Sequence, residues 1–402
     1  MREAKCEIIS TPNASMQDFS ENKLHYVLLG DPALRIGNAD YDVAIDRLNG
    51  KVVDSDEELL LNAGEKVTVS GHICTPQGVA ADDFEGMVCA TVLDNRETVV
   101  GRNNNGSASS PFSYTERSKV LFSGSDSVRG GRFDFVFRVP MDINYSGESG
   151  LLNVYAINNA KDVEAQGTTD AFLLGGTEES LRNDSLGPTI ALYLNTPSFV
   201  PGDQVNETPL LVATLEDADG INAVGNAIGH DLVAVIDGEA SLTYKLNNYY
   251  TSAFGDYTRG TLAYSLPPLA AGKHTLMLRA WDLMNNSSTA IVDFEVVEGL
   301  TPSLTDVMVT DSPARTETSF VITHDRPESV VTFRLEVFDF SGRMLWQKEE
   351  TTATSSNTYT TSWNLCNSAG TPLQDGVYLY RVTATSTSGS STSQSRKLVV
   401  KR

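Results

Sequence analysis

The run Gly131-Arg132-Phe133-Asp134-Phe135-Val136-Phe137-Arg138-Val139-Pro140 alternates apolar and polar residues almost without a break. Successive side chains of a β-strand point to opposite faces. Phe133, Phe135, Phe137 and Val139 therefore share one face, and Arg132, Asp134 and Arg138 share the other. Truncating a buried phenyl ring costs on the order of 3 kcal/mol, so a sheet with three rings on one face needs a second layer over it. A β-sandwich is the simplest arrangement that supplies one.

The same period continues on both sides. Upstream, Val67 and Val69 alternate into Gly71, which predicts a strand from Val67 to Cys74, and Val88, Ala90 and Val92 line a second from Met87 to Leu93. Downstream, Leu152 to Ile157 and Ala171 to Leu174 complete the first sandwich, and Leu181 to Pro188 reads as a linker. Ile190, Leu192 and Leu194, then Leu210 to Leu215, then two strands around Asn285-Asn286 predict an immunoglobulin-like second sandwich. Thr301-Pro302 opens a third. Phe333, Leu335 and Val337 alternate up to the turn Asp339-Phe340-Ser341-Gly342, and Gln374-Asp375-Gly376 turns the chain into Val377 to Val382. The Ser/Thr-rich stretch from Thr385 to Ser395 is expected to be a flexible hairpin loop between the two final strands, Val377 to Val382 and Lys397-Leu398-Val399-Val400.

The N-terminus differs. Residues 2 to 10 can form two helical turns, stopped by Thr11-Pro12-Asn13, and Tyr26-Val27-Leu28-Leu29 before Gly30-Asp31-Pro32 reads as a strand buried on both faces. Too few residues precede that strand to build the sheet it belongs to, so it is expected to close an α/β domain whose remainder lies elsewhere, with Met1 inside one of that domain's helices. The expected fold class is all-β, tandem immunoglobulin-like sandwiches with a short α/β remnant: 1–40 the remnant, 41–182, 183–299 and 300–402 the sandwiches.

A length of 402 residues suits about three domains. Lys and Arg number 30 against 52 Asp and Glu, a net charge of −22. Such a surface disfavours nucleic acid and anionic bilayers as partners. No apolar run is long enough for a spanning helix, and Met1-Arg2-Glu3-Ala4-Lys5-Cys6 leads into no apolar signal core. Cys6, Cys74, Cys89 and Cys366 are few for a disulfide scaffold. Cys74 and Cys89 are expected as two small buried thiols, although a bridge between their strands is geometrically allowed.

Asp217 and Asp219, within Glu216-Asp217-Ala218-Asp219-Gly220, are candidate oxygen ligands for Ca²⁺, but the segment lacks the later acidic positions and the closing Glu of a helix–loop–helix calcium site, and a solvated β-turn is the simpler reading. His230-Asp231 is either a ligand pair or a loop anchor. Tyr244, Tyr249, Tyr250, Phe254 and Tyr257 either line a sugar-binding groove or pack on their own sandwich.

Several segments resemble one family in order. Leu28-Leu29-Gly30-Asp31-Pro32-Ala33-Leu34 is similar to the end of the catalytic domain of gingipain-like cysteine peptidases. Val69-Ser70-Gly71-His72-Ile73, Phe84-Glu85-Gly86, Pro111-Phe112-Ser113-Tyr114, Val120 to Gly124, Gly131 to Pro140 and Asp142-Ile143-Asn144-Tyr145 follow in the order found after the peptidase domain of the sortases of type IX secretion. Asp219-Gly220-Ile221-Asn222 and Gly229-His230-Asp231 continue the series. The Asp375-Gly376-Val377-Tyr378 turn and terminal Lys-Leu-Val-Val resemble a C-terminal sorting domain.

The resemblance implies a cell-surface, outer-membrane-associated cysteine endopeptidase. Such an enzyme removes C-terminal sorting domains from cargo and joins the cargo to anionic lipopolysaccharide. It also implies the outer-membrane attachment-complex subunits as partners. The family's Cys–His pair has its His before Gly, whereas the five histidines here precede Tyr26, Ile73, Asp231, Thr275 and Asp325. The pair is therefore expected upstream of Met1, and this chain is expected to be non-catalytic. A His72–Cys74 pair is disfavoured on the reasoning that strand neighbours face opposite ways. The alternative is a surface adhesin or carbohydrate-binding protein exported through its terminal domain.

Overall fold

Strand Arg132–Arg138 forms as the alternation predicts, with Phe133, Phe135 and Phe137 only 4, 6 and 2% exposed. It belongs to a computed structural model that describes residues 39–53, 58–102, 110–179, 185–225 and 229–401. The chain divides into Met1–Asp40 and Tyr41–Arg402. The helical turns expected at 2–10, the apolar strand at 26–29, Cys6 and His25 lie outside the described residues.

The cover over the phenyl rings comes largely from the same sheet. Its strands run Val120–Val128, Gly86–Leu93, Leu151–Asn158, Glu164–Thr169, Tyr41–Leu48, Lys66–Cys74 and Arg132–Arg138, with Lys51–Val52 appended to Tyr41–Leu48. The path curls until its end strands meet: Phe122 from one end lies 5.2 Å from Phe137 and 6.1 Å from Phe135 at the other. A parallel pair, Leu60–Ala63 with Leu173–Thr177, closes the remaining side and contributes Leu61, Ala63 and Leu174 to the core.

The second sandwich packs two sheets around Leu211, Leu215, Leu262, Leu276 and Phe294. One orders Thr189–Leu194, Leu210–Glu216, Asp256–Ser265 and Tyr250–Ala253. The other orders Gln204–Val205, Ser287–Val296, Gly272–Trp281, Val233–Ile236 and Thr243–Lys245. In the third, Leu304–Val309, Thr318–His324 and Thr358–Trp363 face a sheet of Met344–Ala353, Val330–Phe338, Gly376–Ser386 and Ser391–Val400. Each sandwich buries its own apolar cluster.

One expectation holds only in part. The Thr385–Ser395 stretch joins the two final strands as a hairpin, but most of it is strand and not loop. Gly376–Ser386 and Ser391–Val400 pair along their whole length, from Gly376↔Val400 to Thr385↔Ser391, and only residues 387–390 turn. Threonine is β-branched and favours the pleated ladder, and this composition reads as loop only if apolar content alone is counted.

Candidate functional site

The two loops singled out by their acidic and histidine residues converge on the joint between the first and second sandwiches. Strand Leu210–Glu216 ends in a turn closed by the Gly220 amide on the Asp217 carbonyl, 3.0 Å, with Gly220 in the left-handed region at φ 95°. The Asp217 carboxylate accepts the Asp219 amide at 2.8 Å, which shapes the turn. Asp219 is thereby presented to Arg138, and the two groups pair at 2.9 Å across the joint. Arg138 also donates to the Gly64 carbonyl at 2.7 Å, so its guanidinium is anchored in the first sandwich. Burial pushes the neighbouring Tyr257 phenol up, with Arg138 acting against the shift.

A second clasp lies alongside. Asp142, just past the end of the Phe strand, holds the His230 imidazole at Nδ1, 2.8 Å, and accepts from the Asn285 amide at 3.0 Å. Asp282 organises the turn that delivers Asn285, accepting the amides of Met284 and Asn286 at 2.9 and 2.7 Å. Asn285 takes φ 71°, a conformation Asn tolerates better than most residues. The His230 ring lies 4.1 Å from that of Trp281, and the Met141 amide donates to the Leu283 carbonyl at 3.0 Å. Across the same joint, Gly255 N–H donates to Ser125 O at 2.8 Å.

His230 is thus a loop anchor that reaches into another domain. Asp231, its neighbour, pairs with Lys245 at 2.5 Å. Asp219 faces a guanidinium, and among the described residues no group of three or more His, Cys, Asp or Glu is arranged to hold a metal ion. The sequence reading missed Arg138, Asp142 and Trp281, since nothing local marks residues whose partners lie far along the chain.

Among the described residues no thiol is hydrogen-bonded to an imidazole. Positions two apart in a strand share a face, so the reasoning that separated His72 from Cys74 was mistaken: both point away from the inward-facing Ile73. Even so, His72 Nδ1 turns to Asp46 at 3.0 Å. Burial raises the Cys74 thiol, and Asp42 and Asp46 add to the rise. Cys89 is raised by burial as well. Both are free thiols, as is Cys366. A nucleophilic cysteine needs the opposite electrostatics.

The five aromatics divide among four environments. Tyr244 and Tyr249 cluster on Tyr264 at 5.6 and 4.7 Å, Tyr250 packs half-buried against the second core, and Tyr257 belongs to the joint. Phe254 is 58% exposed. They do not form one groove.

No family model and no curated relative matches the chain. Among solved structures it is similar to dimeric latent PorU from Porphyromonas gingivalis, with 32% identity over 99% of this chain and 37% of that one, at a TM-score of 0.45. The chain therefore spans little more than a third of that protein. A tetra-tandem repeat from the extending region of a large adhesion protein is 15% identical over 90% of this chain and 74% of its own, TM-score 0.20. The Bacteroides ovatus glucan-utilisation protein SGBP-B, in complex with a mixed-linkage heptasaccharide, is 14% identical over 90% and 70%, TM-score 0.26. These superpositions are too loose to bear on function, and the sequence identity to PorU supports a PorU-like C-terminal portion.

Proposed function

We propose that this chain is the non-catalytic C-terminal portion of a type IX secretion sortase, and that it positions cargo and docks the enzyme to its attachment complex. The observation that carries the reading is the 32% identity to PorU along 99% of the chain, with the ordered segments from Val69 to Tyr145 among the residues concerned. The joint fits a scaffold. Its side chains are spent on one another, carboxylate on guanidinium and imidazole on carboxylate, and this fixes one sandwich against the next. On this reading the whole enzyme acts at the cell surface, in association with the outer membrane. It cleaves sorting domains from cargo and transfers the cargo to anionic lipopolysaccharide through residues of its peptidase domain. The Ca²⁺ reading of Asp217 and Asp219 has no part in it.

The test uses the chain as it stands. It is mixed with a purified C-terminal sorting domain, and binding is measured by calorimetry while a fluorogenic peptide reports hydrolysis. Saturable binding without cleavage is expected. Cleavage overturns the non-catalytic assignment, and absence of binding overturns the role in positioning cargo.

A further inference from the structure

The second and third sandwiches meet where the Asn357 amide donates to the Asn195 carbonyl at 2.7 Å. Beside that contact lies a cleft of about 290 Å³, walled by Ser198, Phe199, Asp203 and Gln204 of the second sandwich and by Ser303, Thr305 and Asp325 of the third. Small-molecule sites begin at about 300 Å³, so the space suits one or two small rings.

Much of the lining is already engaged, and what is left selects the ligand. Asp325 is spent on the Ser303 amide at 2.7 Å and on Arg326 at 2.7 Å. Asp203 uses Oδ2 on the Val200 amide at 2.8 Å and keeps Oδ1. Gln204 gives Nε2 to Glu295 at 3.0 Å and keeps Oε1. Thr196 and Ser198 bond their hydroxyls to each other at 2.8 Å, which leaves the hydroxyls of Ser303 and Thr305. The cleft thus offers a carboxylate oxygen, an amide oxygen and two hydroxyls from two sandwiches, beside the apolar ring of Phe199. No Lys, Arg or His lines it. A ligand that matches must donate several hydrogen bonds from a compact frame with an apolar face and carry no negative charge. Vicinal hydroxyls on a pyranose ring meet each condition.

The geometry points to this cleft as a binding site for a neutral hexopyranose unit, held by both sandwiches at once. The inference stands on the cleft alone and is independent of the sortase reading. Saturation-transfer-difference NMR on the full chain, with glucose, galactose, mannose and N-acetylglucosamine as probes, tests it. Transfer to the ring protons of at least one sugar is expected, with none to glucuronate. Thr305 is exposed, so Thr305→Trp fills the cleft without disturbing a core and abolishes transfer, while circular dichroism verifies the fold. Asp203→Asn weakens binding at least about fivefold through the lost charge-assisted bond. Three outcomes overturn the proposal: no transfer from any of the four, transfer that survives Thr305→Trp, or equal transfer to glucuronate.

Discussion

His324 sits wholly inside the third sandwich, against the Phe333 ring, with Nδ1 accepting the Arg326 amide at 3.1 Å and Nε2 unpaired. Protonating Nδ1 breaks the one hydrogen bond the ring makes and places a charge beside the Arg326 guanidinium. Burial, followed by that neighbouring charge, lowers its pKa from 6.5 to about 4. The unfolded chain therefore binds more protons than the folded one between those values. Stability from this residue is complete above pH 6.5 and falls as the pH drops towards 4, by at most about 3 kcal/mol. The urea midpoint of the third sandwich should fall between pH 7 and pH 5, and His324→Gln should flatten that dependence. His274 in the second sandwich has the opposite sign. Burial opposes its charge, but the Ala270 carbonyl and Asp237, each at 2.8 Å, outweigh burial and raise its pKa. Its contribution is complete below the unfolded value near 6.5 and is lost as pH rises through the raised one. Cys74 gives a third prediction at this scale. With its thiolate disfavoured by burial and two carboxylates, iodoacetamide should label it at least about tenfold more slowly than a free peptide thiol at neutral pH, as read by peptide mass spectrometry.

Among the strands, the clearest are those the sequence spelled out by alternation, because one face of each is buried and the other wet. Arg132–Arg138, Gly272–Trp281 and Val330–Phe338 were legible for that reason. The parallel pairing of Leu60–Ala63 with Leu173–Thr177 was not, although a strand was expected over Ala171 to Leu174, since the partners lie over 100 residues apart and Leu60–Ala63 is too short to show a period. The curl that joins Phe122 to Phe137 was also hidden: three inward rings require cover but do not say which strand provides it. One residue shows how close that cover is. Gly71 pairs with Phe133 across the ladder, and a Cβ there would run into the Phe133 ring and the Ala44 carbonyl. Gly71→Ala should destabilise the first sandwich by about 1–3 kcal/mol, since the obstruction includes backbone, and calorimetry should show a lowered melting temperature. Position 348 illustrates another device. Met344–Ala353 is an edge strand, and Lys348 points inward from it to Thr361 and Glu350, at 2.6 and 2.8 Å. An inward charge of this kind discourages a foreign strand from adding to the edge.

Across the whole of Tyr41–Arg402, the candidate loops were legible as loops, and their purpose was not. Asp219 and His230 stood out as residues with chemistry to spare, and each is consumed by a partner in the first sandwich, Arg138 for one and Asp142 for the other. Only the folded chain brings those positions together. The Arg138–Asp219 pair should therefore govern the angle between two sandwiches more than the stability of either. Both side chains are about four-fifths buried, at 17 and 21% exposure, so loss of one partner leaves the other poorly solvated. Arg138→Glu sets two carboxylates against each other and should cost about 1–3 kcal/mol of coupling. It should also widen the solution scattering envelope, while the circular dichroism of the sandwiches is preserved. Asp219→Arg alone should behave alike. Combining the two reverses the pair, and the scattering curve should return towards that of the unaltered chain. If the single changes leave the scattering unaltered, the joint is held by the Asp142–His230 clasp and the Met141–Leu283 and Gly255–Ser125 backbone bonds without help from the ion pair. His230→Ala should then be the change that loosens it.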